Sequence, residues 1–283
     1  MRWFASLFHP NVDVFMTLRA RDCLAGVVLC LSTALPGWAA EVTPHRAIYQ
    51  MTLLSSRGGS DIADVNGTMQ FEWKDACDGW AIDQRSLMTF LYNTGEEVDL
   101  GWSLVSWESK DGLRYRFYVR KYQNGELYEE LRGDTKLDGP GKGGVAQYSL
   151  PEPRKIHLPA GTLFATAHSL KLLELAESGG QFLWATVFDG SDEEGLFGVN
   201  AIVSDRREAE GVSDPRSPLL VAGPSWHVAL AFFAATGQGA EPEHEQSLRL
   251  HANGVTEDLV LDYGDFTVSA TLQKIEKLPP AKC

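Results

Sequence analysis

The run Phe266-Thr267-Val268-Ser269-Ala270-Thr271-Leu272-Gln273 alternates without a break, apolar at Phe266, Val268, Ala270 and Leu272 and polar between them. A period of two is the mark of a strand with one face buried. Trp226, Val228, Leu230 and Phe232 repeat the pattern, as do Tyr115, Phe117 and Val119 set against Arg114, Arg116, Tyr118 and Arg120. Further strands are expected near His45 to Ser55, Val65 to Trp73, Trp80 to Tyr92, Val98 to Trp107, Glu126 to Arg132 and Val145 to Leu150. In the second half they are expected near Phe182 to Phe188, Leu196 to Ser204, Glu245 to His251 and Thr256 to Asp262.

The joins carry turn chemistry: Lys110-Asp111-Gly112, Asn124-Gly125, Asn253-Gly254 and Tyr263-Gly264-Asp265. Asn-Gly and Asp-Gly accept the positive backbone angles of tight hairpins, so neighbouring runs are expected to pair antiparallel. The chain reads as mainly β, an antiparallel meander. One segment departs from it. Leu163, Ala167, Leu170, Leu173 and Ala176 recur at spacings of three and four before Ser178-Gly179-Gly180, which predicts one amphipathic helix ended by glycine, capped at its start by Thr162 or Thr166. Arg206 to Pro218 reads as a long polar loop.

At the N-terminus, Arg19 and Arg21 precede the apolar run Leu24 to Leu35 and then Pro36-Gly37-Trp38-Ala39-Ala40, the charged, apolar, small-residue order of an export signal. Cleavage after Ala39 places small residues where the peptidase needs them. Met16 is a second start, and Met1 to Phe15 read as an upstream extension. The organisation expected is a signal peptide over 1–39 and a single β domain over 40–283. The apolar run falls short of the roughly 20 residues that span a bilayer, so no transmembrane anchor is expected after cleavage. Cys23 and Cys30 follow Asp22 and Leu29, which does not suit a lipoprotein signal, and both leave with the leader.

Cys77 and Cys283 remain, and two cysteines allow one intramolecular bridge. Such a bridge persists in an oxidising compartment such as the bacterial periplasm. The loop it closes is worth roughly 5 kcal/mol as an upper figure. The chain of 283 residues carries a formal charge of −13, which becomes −14 once three arginines and two aspartates depart with the leader. That balance argues against nucleic-acid affinity and against unaided attraction to anionic lipid.

No phosphate-binding glycine loop, nucleophile elbow or zinc-spaced histidine pair is present. His168, beside Thr166 and Ser169 on the predicted helix, reads as a hydrogen-bonded structural histidine rather than an acid/base, and His45 and His227 as packing or surface residues. Asp189-Gly190-Ser191-Asp192-Glu193-Glu194-Gly195 offers oxygen ligands but lacks the spacing of a calcium loop, and reads as a solvated hairpin. No catalytic residue, cofactor or metal site is nominated. Arg114, Arg116 and Arg120 form a stripe that could meet a phosphate or an acidic partner, or pair with Glu126, Glu129 or Glu130 on the next strand. Trp73, Trp80, Trp102, Trp107, Trp184 and Trp226 read first as core and second as the lining of a lipid cavity.

Five segments, taken in order, resemble the EipB family of periplasmic cell-envelope integrity proteins. They are Thr43-Pro44-His45-Arg46-Ala47-Ile48-Tyr49, Ala76-Cys77-Asp78-Gly79-Trp80, Trp107-Glu108-Ser109-Lys110-Asp111-Gly112 leading into Tyr115-Arg116-Phe117, Val187-Phe188-Asp189-Gly190-Ser191, and Leu261-Asp262-Tyr263-Gly264-Asp265-Phe266; the terminal Cys283 matches the family's second cysteine. The chain differs at Ala165, where the family pattern tends to carry proline. The resemblance implies a many-stranded antiparallel β-spiral, an open barrel-like sheet with one helix against it, and the Cys77–Cys283 bridge. It also implies a non-enzymatic role in the envelope of Gram-negative cells, with a periplasmic tetratricopeptide-repeat protein as the partner class. A periplasmic carrier of lipid or another apolar envelope molecule is the competing expectation.

Overall fold

The computed structural model describes residues 42–209, 214, 216–234 and 241–283. The expected signal peptide and its cleavage site lie outside the described residues, as does part of the expected Arg206 to Pro218 loop. The first eight strands are β1 (His45–Ser56), β2 (Ile62–Asp75), β3 (Gly79–Tyr92), β4 (Glu97–Ser109), β5 (Arg114–Gln123), β6 (Glu126–Leu137), β7 (Gly144–Leu150) and β8 (Arg154–Leu158). Next come β9 (Leu163–Phe164) and the helix α1 (Ala165–Glu177). The last six strands are β10 (Phe182–Phe188), β11 (Leu196–Arg207), β12 (Ser225–Ala234), β13 (His244–His251), β14 (Thr256–Asp262) and β15 (Phe266–Lys277).

All fifteen strands share one sheet, ordered β8-β7-β6-β5-β4-β3-β2-β1-β15-β14-β13-β12-β11-β10-β9. The chain starts in the middle, meanders to one edge at β8, crosses to the other edge at β9 and meanders back until β15 lies against β1. Every pairing is antiparallel except β9 with β10. The four turn sequences each close a hairpin, and Asn124 and Gly125 both take positive φ, 50° and 81°, as a tight two-residue turn requires.

Among the described residues no ladder joins the two edges of the sheet; side chains close it. Tyr115, Phe117 and Tyr148 from the first half pack against Phe164 and Phe188 from the second, with ring centroids 5.2 Å apart for Tyr115–Phe164 and 5.7 Å for Phe117–Phe188. Tyr115 Oη donates to the Asp189 carbonyl at 2.8 Å and Tyr148 Oη to that of Asp192 at 3.1 Å. A Cβ on Gly190 would lie 2.7 Å from the Phe117 ring, at a φ of +66°. The Asp189-Gly190 pair is therefore part of the seam between the two halves.

Two readings of the sequence are corrected here. Leu163 belongs to β9 and not to the helix, which begins at Ala165. Neither threonine caps it: the N-cap is Phe164 without a side-chain bond, and Thr162 Oγ1 donates to the Pro159 carbonyl. The helix end is as expected, with Gly179 at φ +78°, its N–H bonded to the Ala176 carbonyl and that of Gly180 to the Leu175 carbonyl.

Candidate functional site

The alternation that builds the strands also lines a cavity of about 710 Å³ on the inner face of the sheet. Inward residues of four successive strands form its first wall: Tyr49 and Met51 of β1, Met69, Phe71 and Trp73 of β2, Ile82, Gln84, Ser86 and Met88 of β3, and Leu100, Trp102, Leu104 and Ser106 of β4. Their registers align them in rows, such as Met69 beside Ser86 beside Trp102. Val228, Leu230 and Phe232 of β12, Leu248 and Leu250 of β13, and Leu259 and Leu261 of β14 form the facing wall. Helix α1 contributes Ala165, Thr166, His168, Ser169, Leu172 and Leu173, one side of its turns. Tyr263, Lys121, Glu243 and His244 also border the space.

A carboxylate from β4 holds that helix. Glu108, only 2% exposed, accepts the N–H groups of Thr166 and Ala167, each at 2.8 Å. These are amides that the helix itself leaves without partners. Burial pushes Glu108 up to about 7, while the two amide bonds pull the other way. Ala165 is the first helical residue, a position that suits proline, so the chain's departure from the family pattern leaves the helix start intact.

The disulfide joins Cys77, in the β2–β3 turn, to Cys283, with Cα atoms 5.8 Å apart. It fastens the C-terminus, which leaves β15 beside β1, to the far end of that hairpin. The stripe of Arg114, Arg116 and Arg120 lies on the outer face of β5, opposite the buried Tyr115, Phe117 and Val119. Arg116 meets Asp134 at 3.3 Å, and Arg114 and Arg116 lie over the Trp107 ring at 5.3 and 5.1 Å. Arg120 stands opposite Glu130 and over Tyr118, whereas Glu129 pairs with Lys121. The stripe is thus engaged with its own sheet, on the face opposite the inward rows.

Of the tryptophans, Trp73 and Trp102 line the cavity. Trp226 is core and Trp80 packs on Trp73 beneath Lys110. Trp107 carries the arginines, and Trp184 is 62% exposed beside Phe182 at 69%. His168 is buried, with Nε2 lacking a hydrogen-bond partner, which corrects the expectation of a hydrogen-bonded histidine. Burial, with the Lys171 charge adding to it, lowers it to about 4. His45 is fully buried, and its Nδ1–H donates to the Thr43 carbonyl, 2.7 Å away. The Asp189 and Asp192 carboxylates accept N–H groups of Ser191 and of Glu194 in their own loop. Among the described residues, no three His, Cys, Asp or Glu side chains gather as metal ligands.

Fold and site together define a disulfide-fastened, open antiparallel β-sheet curled around an apolar cavity with a helix against it. Residues 36–279 match the profile of the EipB-like family. The chain is 30% identical over 243 residues to the cell envelope integrity protein EipB of Brucella abortus (strain 2308), covering 84% of this chain and 85% of that one. A crystal structure of a beta-barrel-like protein of the domain of unknown function DUF1849, also from Brucella abortus, superposes with a TM-score of 0.76 at 28% identity. It covers 84% of this chain and 99% of its own. The chain belongs to the EipB-like family.

Proposed function

We propose that this protein supports the integrity of the cell envelope from the periplasm, without catalysis, by holding an apolar envelope molecule in its cavity. The envelope role is drawn from the Brucella relative's name, and the compartment from the leader-like N-terminus and the Cys77–Cys283 bridge. The observation that carries the reading is the cavity itself, about 710 Å³, with Leu, Met, Phe and Trp side chains on each of its walls beside a minority of polar ones. That volume falls within the roughly 300–1,000 Å³ of small-molecule sites. Each methylene moved from water into such a lining contributes about 0.8 kcal/mol. No helix among the described residues is long and apolar enough to cross a membrane.

A protein partner is the second reading, and the family resemblance points to the tetratricopeptide-repeat class. Phe182, Trp184 and Ile202 favour it, because they stand exposed together on the outer face of β10 and β11, and exposed apolar clusters mark interaction surfaces. Arg114, Arg116 and Arg120 would add a polar margin elsewhere. Native mass spectrometry of the mature protein purified from its own periplasm separates the two readings. A lipid-mass adduct removed by organic extraction supports the cavity reading. A co-purifying protein without lipid supports the second, and a bare monomer counts against both.

A further inference from the structure

Charge is unevenly placed on the outer face of the sheet. From β5 to β8 the registers set outward residues in rows: Arg114 beside Lys136, Arg116 beside Asp134 and then Lys155 beyond Gln147, Tyr118 beside Arg132, and Arg120 beside Glu130. The intervening Tyr115, Phe117, Leu131 and Ala146 are buried, so strand alternation sends these rows to solvent. Four arginines and two lysines share the face with two carboxylates, Asp134 and Glu130. A chain of formal charge −13 therefore carries a local excess of positive charge.

Most of these cations are available. Asp134 is taken by Arg116 at 3.3 Å, and Glu130 accepts the Tyr118 hydroxyl. Among the described residues, Arg114, Arg120, Arg132, Lys136 and Lys155 have no carboxylate within ion-pair distance. The contacts of Arg114 with the Trp107 ring and of Arg120 with that of Tyr118 hold the side chains flat but leave their N–H groups without protein acceptors. Arg114 and Lys136 stand directly opposite one another, a like-charge pair that costs stability when nothing anionic lies over it.

Shape and neighbours decide the partner. The sheet curls around its cavity, so this face is convex, and its cations spread over three strands. They do not converge on a groove or a sheet edge, where an acidic peptide would seat. Leu87, Val105 and Leu127, 58%, 41% and 48% exposed, adjoin them in register with Tyr122 and Tyr118. Exposed leucine and tyrosine beside arginine and lysine suit the headgroup region of a bilayer.

We propose that the outer face of β5 to β8 docks the protein on an anionic lipid surface, with Arg114, Arg120, Arg132, Lys136 and Lys155 meeting headgroup phosphates. The overall negative charge opposes general attraction to such a surface, and the clustering makes the contact directional. The proposal stands apart from what the cavity holds.

The test is co-sedimentation of the mature, lipid-extracted protein with vesicles of phosphatidylcholine alone or mixed equally with phosphatidylglycerol, at about 50 mM and about 500 mM NaCl, either side of physiological screening. Wild type is compared with two face variants, Arg132→Glu with Lys136→Glu and Arg120→Gln with Lys155→Glu. A control, Lys277→Glu with Lys282→Glu, matches the first in charge at exposed positions outside these rows. Folding of each is checked by circular dichroism.

Wild type is expected to sediment with the phosphatidylglycerol vesicles at low salt and to be released at high salt. A basic residue near an anionic surface contributes about fivefold in binding, so each face variant is expected to bind at least about 25-fold more weakly and the control less than about fivefold. Absence of wild-type sedimentation, face variants that bind as wild type does, or equal losses in face variants and control would overturn the proposal. Binding of soluble poly-L-glutamate without vesicle sedimentation would overturn it in favour of an acidic polypeptide. None of these results alters binding of a neutral probe in the cavity, so the two readings fail separately.

Discussion

Glu108 meets two opposed demands. As a carboxylate at the start of α1 it satisfies two amides, Thr166 and Ala167, and faces the positive end of the helix dipole. As a group 2% exposed it resists ionisation, and burial prevails, moving it from its ordinary value of 4.5 up to about 7. A carboxylate raised on folding binds protons more tightly in the folded state. Its contribution is therefore fully present below about pH 4.5 and is lost as pH rises through about 7. The window amounts to on the order of 3 kcal/mol at about 1.4 kcal/mol per unit. Glu108→Gln cannot ionise, so the melting temperature of wild type minus that of the variant should fall between pH 5 and pH 8. A constant difference would show that Glu108 titrates normally. Sequence pattern does not expose this role, because a capping side chain within a few positions of the helix start leaves a local signature and Glu108 lies 58 residues from Thr166.

At the scale of elements, thirteen of the fifteen strands announced themselves by period-two patterning and by turn residues. β8 and β9 did not. Arg154–Leu158 is short and lies between prolines, and Leu163–Phe164 is a two-residue pairing that exists because β10 lies beside it. Leu163 is in phase with the helical spacing although it belongs to β9, so periodicity alone cannot separate the two. The disulfide was legible because arithmetic on cysteines needs no geometry. It joins elements 206 residues apart, and the loop-entropy argument values that closure at roughly 5 kcal/mol at most. Cys77→Ser should therefore lower the melting temperature in oxidising buffer, and dithiothreitol should bring wild type down to meet the variant. Equal melting temperatures in oxidising buffer would mean that the seam and sheet alone fix the C-terminus.

For the whole molecule, the sequence resembled a spiral but did not show how the spiral closes. The seam of Tyr115, Phe117, Tyr148, Phe164 and Phe188 is assembled from four separate strands, and their apolar character fits any core. The cavity was hidden for a similar reason. A strand position facing a void carries the same Leu, Met or Trp as one facing a filled core, so Trp73 and Trp102 could not be told from Trp226 by pattern. The polar Gln84, Ser86, Ser106 and Gln246, in phase with inward apolar neighbours, mark a space that is not wholly packed.

Ser86 gives the most direct test of that space, because it stands on the cavity wall between Met69 and Trp102 and a larger side chain there would occupy the void. The measurement is a titration of the lipid-extracted mature protein with N-phenyl-1-naphthylamine, wild type beside Ser86→Phe. The account predicts saturable one-site binding to wild type that the substitution abolishes or strongly weakens while the fold, followed by circular dichroism, persists. Absence of saturable binding to wild type, or equal binding to a folded Ser86→Phe variant, would contradict it.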